Sequence, residues 1–311
     1  MSKDIRSIFG VANPEDAIAQ FFYPSPELDN LILNGYQSNL RLLKKYIFER
    51  KPPYIENLIR KKNKQQPILS LITSLYKGDE YIAGFLENTC NQVGFCNYEL
   101  IILNCNSPGN EEPVILKYCE QYENITYIKL DSDPGLYQAW NLGIEIAKGD
   151  YVSNANLDDR RSLSYYALMV NWMIENNLDV GSSLFWTCTK LPDISMDEDA
   201  IIWYKEYYNV SYFDFFKVNS ESGLPQDQCV LGPMPIWKKS LHKSHGFFNE
   251  REYGPSADYA MWCKLLMNGC KFGFFRVPLV YYLKAQNSYA RRVNTLKYNN
   301  AIISDLLKVK I

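Results

Sequence analysis

Residues 133–161 read DPGLYQAWNLGIEIAKGDYVSNANLDDRR, and the fold turns on this stretch. Pro134-Gly135 opens a helix, and Gly149-Asp150 breaks it. Tyr151-Val152-Ser153 then forms a short strand running into the polar cluster Asn154, Asn156, Asp158 and Asp159. Two carboxylates thus stand at the carboxyl end of a strand, the edge of an open α/β sheet where loops converge and ligands bind. Hard cations take oxygen ligands and hold phosphates through one or two protein carboxylates. The pair suits a metal–diphosphate clamp; alone, it would read as a solvated acidic turn, the commoner fate of two adjacent Asp.

Outward from this stretch the chain alternates strand and helix. Ile68 to Thr73 is an apolar run fit for a buried parallel strand, followed by the loop Ser74-Leu75-Tyr76-Lys77-Gly78 and a helix beginning near Asp79. A second strand, Glu99 to Leu103, ends in Asn104-Cys105-Asn106-Ser107-Pro108-Gly109. A helix from Glu111 to Tyr122 and a strand from Ile125 to Leu130 lead back to the opening stretch. The order of strand and helix argues a parallel, right-handed α/β sheet. Beyond it, Ser162 caps a helix to about Asn176, Val180 to Thr187 is a strand, and residues 191–228 form an irregular acidic and aromatic segment. Asp258 to Met267 is a helix closed by Asn268-Gly269, Lys271 to Val277 a strand, and Val293 to Val309 a closing helix. Residues 1–66 differ: an apolar stripe from Leu28 to Ile47 at helical spacing predicts a helical appendage, ended by Pro52-Pro53 and followed by a basic tail at residues 60–64. The expected organisation is 1–66, 67–292 and 293–311.

Composition narrows the partners. The formal net charge of the 311-residue chain is −2, which gives no electrostatic footprint for nucleic acid. Twenty-four Tyr and six Trp suit sugar and nucleobase stacking as well as ordinary packing. Eight Cys occur without a C-x-x-C pair; Cys90, Cys105, Cys229 and Cys263 read as buried thiols in a reduced compartment. No run approaches the roughly 20 apolar residues of a membrane span, which predicts a cytoplasmic protein, at most peripheral to the inner face of a membrane. His242 and His245 stand as candidate third metal ligands or acceptor contacts, although a lone His is more often structural.

The spacing Gly135-xxx-Ala139-Trp140-Asn141-Leu142-Gly143, then Gly149-Asp150-Tyr151-Val152, then Asn156-Leu157-Asp158-Asp159, resembles the central region of family 2 glycosyltransferases of the GT-A fold, which reads G-x-x-x-A-R-N-x-G, G-E/D-Y-I and D-x-D-D. Trp140 stands where the family has Arg, and Asn156 where it has the first Asp, which removes one negative charge. The segment from Cys229 to Asn249 is similar to the P-x-W-R-K-S-L and G-x-F-D-E region bordering the acceptor site, and Asp258 falls on the second position of the family's E-D helix start.

The resemblance spans about Pro67 to Phe275. It implies a Rossmann-like mixed α/β sheet with flanking helices and an inverting transfer of a sugar from a nucleotide diphosphate, an α-configured donor giving a β-linked product. By the same resemblance Asp258 is the catalytic base. Ser74, Tyr76, Asn104, Asn106, Gly135, Asn141 and Asn156 line the nucleotide-sugar site, and Asp158 and Asp159 hold a divalent cation, Mn²⁺ or Mg²⁺. Tyr76 reads equally as a packing aromatic, and Arg291 or Arg292 equally as a diphosphate contact or part of a polar loop. The acceptor is a glycan, a lipid-linked sugar or a protein. The processive signature Q-x-x-R-W is absent, which favours one sugar per encounter. A non-catalytic nucleotide-sugar or carbohydrate-binding relative is the first alternative. A nucleotidyltransferase is the second, against which Ser74 to Gly78 lacks a G-x-G-T-R-type loop.

Overall fold

The runs Leu69–Leu75 (β1) and Tyr98–Asn104 (β2) are buried almost throughout, and this explains their composition. Parallel strands covered by helices on both faces read as continuous apolar runs, without the polar alternation of a one-sided sheet. The computed structural model describes residues 67–92, 97–188, 231, 233–283, 298, 299, 301 and 302. The expected appendage 1–66, the segment 191–228, Cys229, Arg291, Arg292 and most of the closing helix lie outside the described residues.

The remaining strands are Ile125–Lys129 (β3), Tyr151–Asn154 (β4), Arg160–Arg161 (β5), Val180–Cys188 (β6), Ile236–Lys238 (β7) and Phe272–Leu283 (β8). They join β1 and β2 in one sheet of order β3-β2-β1-β4-β7-β6-β8-β5. The first four are parallel; β7 lies antiparallel to both β4 and β6, which makes the sheet mixed, as expected. The helices are Ile82–Cys90 (α1), Glu112–Gln121 (α2), Leu136–Ile146 (α3), Tyr165–Glu175 (α4), Leu241–His245 (α5), Glu250–Tyr253 (α6) and Ala257–Met267 (α7).

Successive strand residues point to opposite faces, and the core divides accordingly. Leu69, Leu71, Leu100 and Ile102 pack with Phe85, Ile115 and Tyr166 of α1, α2 and α4. Ile72, Ile101, Leu103 and Val152 pack with Ala139 and Ile144 of α3 and Trp262 of α7. The result is a three-layer sandwich. Cys105 and Cys263 are buried as expected, whereas Cys90 is only partly so; among the described residues the cysteines are free thiols.

Two local expectations are corrected. Ser162 does not cap α4: its N–H donates to Leu279 O at 2.8 Å, which holds it in line with the β5–β8 pairing, so the helix starts at Tyr165. Nor does the strand after Lys271 stop at Val277. It runs on to Leu283, with register shifts against β6 that carry the pairing from Phe275 to Pro278, a residue with no N–H to give.

Helix α3 returns beneath the sheet from the carboxyl end of β3 to the start of β4, and contact fixes its path. A Cβ on Gly143 would come 2.4 Å from the Ile72 side chain, and one on Gly149 would come 2.8 Å from the backbone of Leu69 and Ser70. Buried Glu99 locks the same turn: its Oε1 accepts from Ser70 Oγ and from Lys148 N, both at 2.6 Å. At the other side α3 holds the segment that leads into α6 and α7. Asn141 donates through Nδ2 to Phe248 O at 2.9 Å and accepts from Phe248 N at 3.1 Å. The amide expected in a nucleotide-sugar site is therefore turned into the core, 8% exposed, as a backbone pin.

His242 is likewise structural. Trp237 Nε1 donates to its Nε2 at 2.8 Å, which leaves the proton on Nδ1 to donate to Gly246 O at 2.9 Å. With both ring nitrogens engaged and the ring stacked on Phe247 at 5.2 Å, His242 serves neither metal nor acceptor. His245 Nδ1 lies against Ser244 Oγ and Leu241 O.

Asn141→Ala strands a buried N–H and a buried C=O of Phe248, each costing about 1–3 kcal/mol, and is expected to lower the unfolding free energy by about 2–4 kcal/mol in urea titration. Burial holds the His242 pKa below its ordinary value, so the unfolded chain takes the proton first. Stability is expected to fall as pH drops below about 6.5, until the folded value is passed, and the fall between about pH 7 and 5 should be shallower in His242→Gln.

Candidate active site

The carboxyl ends of β1, β2 and β4 form one continuous edge, because Leu75 pairs with Asn104 and Ile72 with Asn154. Two loops leave it on the β1–β2 side and are stitched together. Asn104, 2% exposed, accepts from Ser107 N at 2.8 Å and donates to Tyr127 Oη at 2.8 Å. Ser107 Oγ accepts from Lys77 N at 2.8 Å and donates to Glu111 Oε1 at 2.7 Å, and the same oxygen takes Gly78 N–H at 2.7 Å. Asn104 keeps one amide hydrogen beyond these bonds. Ser74 is partly exposed, Asn106 is exposed with φ of 53°, and Tyr76 is 47% exposed beneath the Lys77 ammonium, 5.4 Å from its ring centroid. The packing role for Tyr76 is set aside by that exposure.

The acidic loop after β4 separates its two carboxylates. Asp159 is fully buried: Oδ2 accepts from Asn156 Nδ2 at 2.9 Å and Oδ1 from Leu283 N at 3.2 Å. Its pKa is pushed up, first by burial and then by the charge of Asp158. It anchors the loop to β8, and the expected pair of metal carboxylates becomes one. Asp158 is partly exposed; burial raises its pKa, and its own backbone N–H and Arg160 oppose the shift. Arg160, which the sequence reading passed over, props the loop by donating to Leu157 O and Asp159 O at 2.8 Å and Tyr81 O at 3.2 Å.

Among the described residues no three His, Cys, Asp or Glu side chains gather to hold a metal. The donor set still fits a cation that shares its shell with a phosphate: Asp158 supplies a carboxylate and Asn156 Oδ1 a neutral oxygen, engaged only by Asn154 Nδ2 at 3.3 Å.

Asp258 reaches the same edge from the opposite face. Only six residues separate the end of β3 from helix α3, so its first turn stands above the carboxyl ends of the strands. Gly135, at φ of 91°, precedes that turn, and its N–H donates to Asp133 at 2.9 Å. A Cβ there would come 2.8 Å from Glu250, whose carboxylate accepts from Tyr137 N at 3.1 Å and from the Gln138 backbone. Asp258, in the first turn of α7, is partly exposed. It accepts from Tyr259 N at 2.8 Å, from its own N–H and from the Tyr137 side chain. Burial nonetheless dominates and raises its pKa, a direction that suits a group taking up a proton near neutrality. Tyr137 and Glu250 were legible only as members of the motifs, Tyr137 as the second residue of the opening helix and Glu250 directly after Phe248-Asn249.

Residues 70–223 match the family model described as glycosyl transferase family 2. The chain is 24% identical over 234 residues to the uncharacterized glycosyltransferase MJ1057 of Methanocaldococcus jannaschii, covering 75% of this chain and 76% of that protein. It is 31% identical over 115 residues to the minor teichoic acid biosynthesis protein GgaB of Bacillus subtilis, covering 36% of this chain but only 13% of GgaB. Among solved structures, S. aureus TarS 1-349 in complex with UDP-GlcNAc superposes with a TM-score of 0.57 at 16% identity, covering 77% of this chain and 66% of that one. The mannosyltransferase PcManGT from Pyrobaculum calidifontis, in complex with GDP-Man and Mn²⁺, superposes at 0.52 and 12% identity, covering 90% and 85%. At these identities the superpositions establish a shared fold, and with the matched family model they lead to one assignment: the chain belongs to glycosyl transferase family 2.

Proposed function

We propose that this protein transfers a sugar from a nucleotide diphosphate to an acceptor hydroxyl with inversion at the anomeric carbon, in the assembly of a cell-surface glycan or glycoconjugate. The observation that carries the reading is Asp258, partly exposed as a residue, with its carboxylate raised in pKa by burial and set above the strand edge that also bears Asp158. The nucleotide sugars in the TarS and PcManGT complexes support the donor class, and GgaB's role in teichoic acid biosynthesis supports a cell-surface product.

In this reading Tyr76 offers its exposed ring to the nucleobase, while Ser74, Asn106 and the remaining amide hydrogen of Asn104 face the nucleoside. Asp158 and Asn156 Oδ1 would hold a divalent cation, which when bound supplies positive charge against the leaving diphosphate. Asp258 takes the proton of the acceptor hydroxyl as its oxygen bonds to the anomeric carbon and the bond to the diphosphate breaks. One displacement with no covalent enzyme intermediate inverts the centre. The acceptor is a glycan, a lipid-linked sugar or a protein. The described residues contain no helix long and apolar enough to cross a membrane, and we place the reaction at the cytoplasmic side.

Incubation with a panel of nucleotide sugars, in Mn²⁺, Mg²⁺ or EDTA, tests this reading. The wild type is expected to hydrolyse one donor slowly, and Asp158→Ala or EDTA to abolish that hydrolysis. With an acceptor present, Asp258→Asn is expected to lower kcat by about 10²–10⁴-fold with little change in donor binding. Binding of a donor without turnover, with or without acceptors, would favour the non-catalytic relative; failure to bind any nucleotide sugar by calorimetry would end the proposal.

A further inference from the structure

We propose that Tyr137 is the positioning residue for Asp258: its hydroxyl serves the carboxylate before the proton is taken up and the carboxyl group afterwards. The inference rests on the reading of Asp258 as base and adds a residue that the family motif leaves as an unspecified x.

The Tyr137 ring is 3% exposed and wedged edge-on against Trp140 at 5.1 Å, with Phe248 at 5.7 Å, so its hydroxyl is aimed in one direction. The backbone beneath it is held by Glu250, which accepts its N–H at 3.1 Å. At the other end the hydroxyl meets two acceptors: Pro255 O at 3.0 Å and the Asp258 carboxylate. A phenol has one hydrogen, and it goes to one acceptor at a time. With Asp258 ionised, the hydrogen points at the carboxylate, where a charge-assisted bond is the stronger. Once Asp258 has taken the acceptor's proton, the carboxyl O–H donates to Tyr137 Oη and the phenolic hydrogen turns to Pro255 O. Asp258 thus keeps a hydrogen bond to Tyr137 Oη in both states, and only a rotation about the C–O bond separates them.

The other groups around Asp258 cannot do this. The two amides that bind it, its own and that of Tyr259, only donate and do not rotate. Cys263, one turn further along α7, has its thiol pushed up to about 12 and stays neutral. The turn at Gly254–Ser256 contributes Pro255 O and no charge. Glu250 from α6, with Asp133 beside it, faces the amide end of Tyr137 rather than its hydroxyl.

The full-length protein labelled with ¹³C at aspartate carboxyl groups tests the assignment, with the Asp258 signal identified by its loss in Asp258→Asn. Tyr137→Phe removes one oxygen and keeps the ring and the Glu250 contact. Its Asp258 titration midpoint is expected to rise by about one pH unit, because a hydrogen bond to the charged form is lost. Tyr165→Phe is the control; it removes a buried hydroxyl that donates to Met234 O at 2.6 Å on the other face of the sheet, and should leave the midpoint in place. An unchanged midpoint in Tyr137→Phe, or an equal rise in both variants, overturns the proposal. The acidic limb of the donor-turnover profile should move with the midpoint in Tyr137→Phe. A midpoint that moves while Asp258→Asn transfers sugar at the wild-type rate removes Asp258 as the base, and Tyr137's role in the reaction with it, while leaving their hydrogen bond standing.

Discussion

Helix α3 is the member on which the rest of the structure depends. One face of it is pressed on β1, closely enough that Gly143 has no room for a side chain, and the turn after it brings Gly149 equally close to the β1 backbone. The other holds the α6–α7 region through three contacts: Asn141 with the Phe248 backbone, Tyr137 N–H with Glu250, and Tyr137 Oη with Pro255 O and Asp258. The strands β1, β2 and β4 establish an edge, but they contribute nothing from α7. It is α3 that carries the position of the edge across to Asp258. Buried hydrogen bonds to backbone atoms suit this task, since leaving such groups unpaired is costly and their geometry is specific.

The acidic loop shows how burial divides the work of two adjacent carboxylates. Asp159 enters the interior, where Asn156 and Leu283 N hold it, and Arg160 ties the loop backbone to itself and to Tyr81. Asp158 stays partly exposed. A site with one outward carboxylate has modest attraction for a free cation and gains most of it when a phosphate arrives to share the shell.

Much of the fold was legible. Strands β1 to β4, α3 and α7 lie within a few residues of where apolar runs and Gly or Pro breaks put them, and the mixed sheet was part of the expectation. What was misread concerns partners distant in the chain. Ser162 has the residue type of a helix cap, yet β8 supplies Leu279 O and keeps it extended. For His242 the structural reading, the commoner one for a lone histidine, holds, since Trp237 and Gly246 occupy both nitrogens. Asn141 sits in a motif associated with the nucleotide sugar, yet its amide faces Phe248, 107 positions along the chain.

The sequence by itself determined that carboxylates and amides stand at the ends of parallel strands, because hydrophobic periodicity and turn residues are local properties of the chain. It also determined which residues carry chemistry, since only certain types supply hard oxygen ligands or a proton acceptor. Which of them are free to use it was decided by the tertiary structure alone. Asp158 and Asp159 are neighbours of identical type, and so are indistinguishable until β8 arrives with Leu283 N to draw one inward. Asp258 and Tyr137 are of ordinary type in ordinary helices, and become a pair only because α3 and α7 pack on the same face of the sheet. Burial, hydrogen-bond supply and pKa all depend on atoms brought from elsewhere in the chain, and no local pattern contains them.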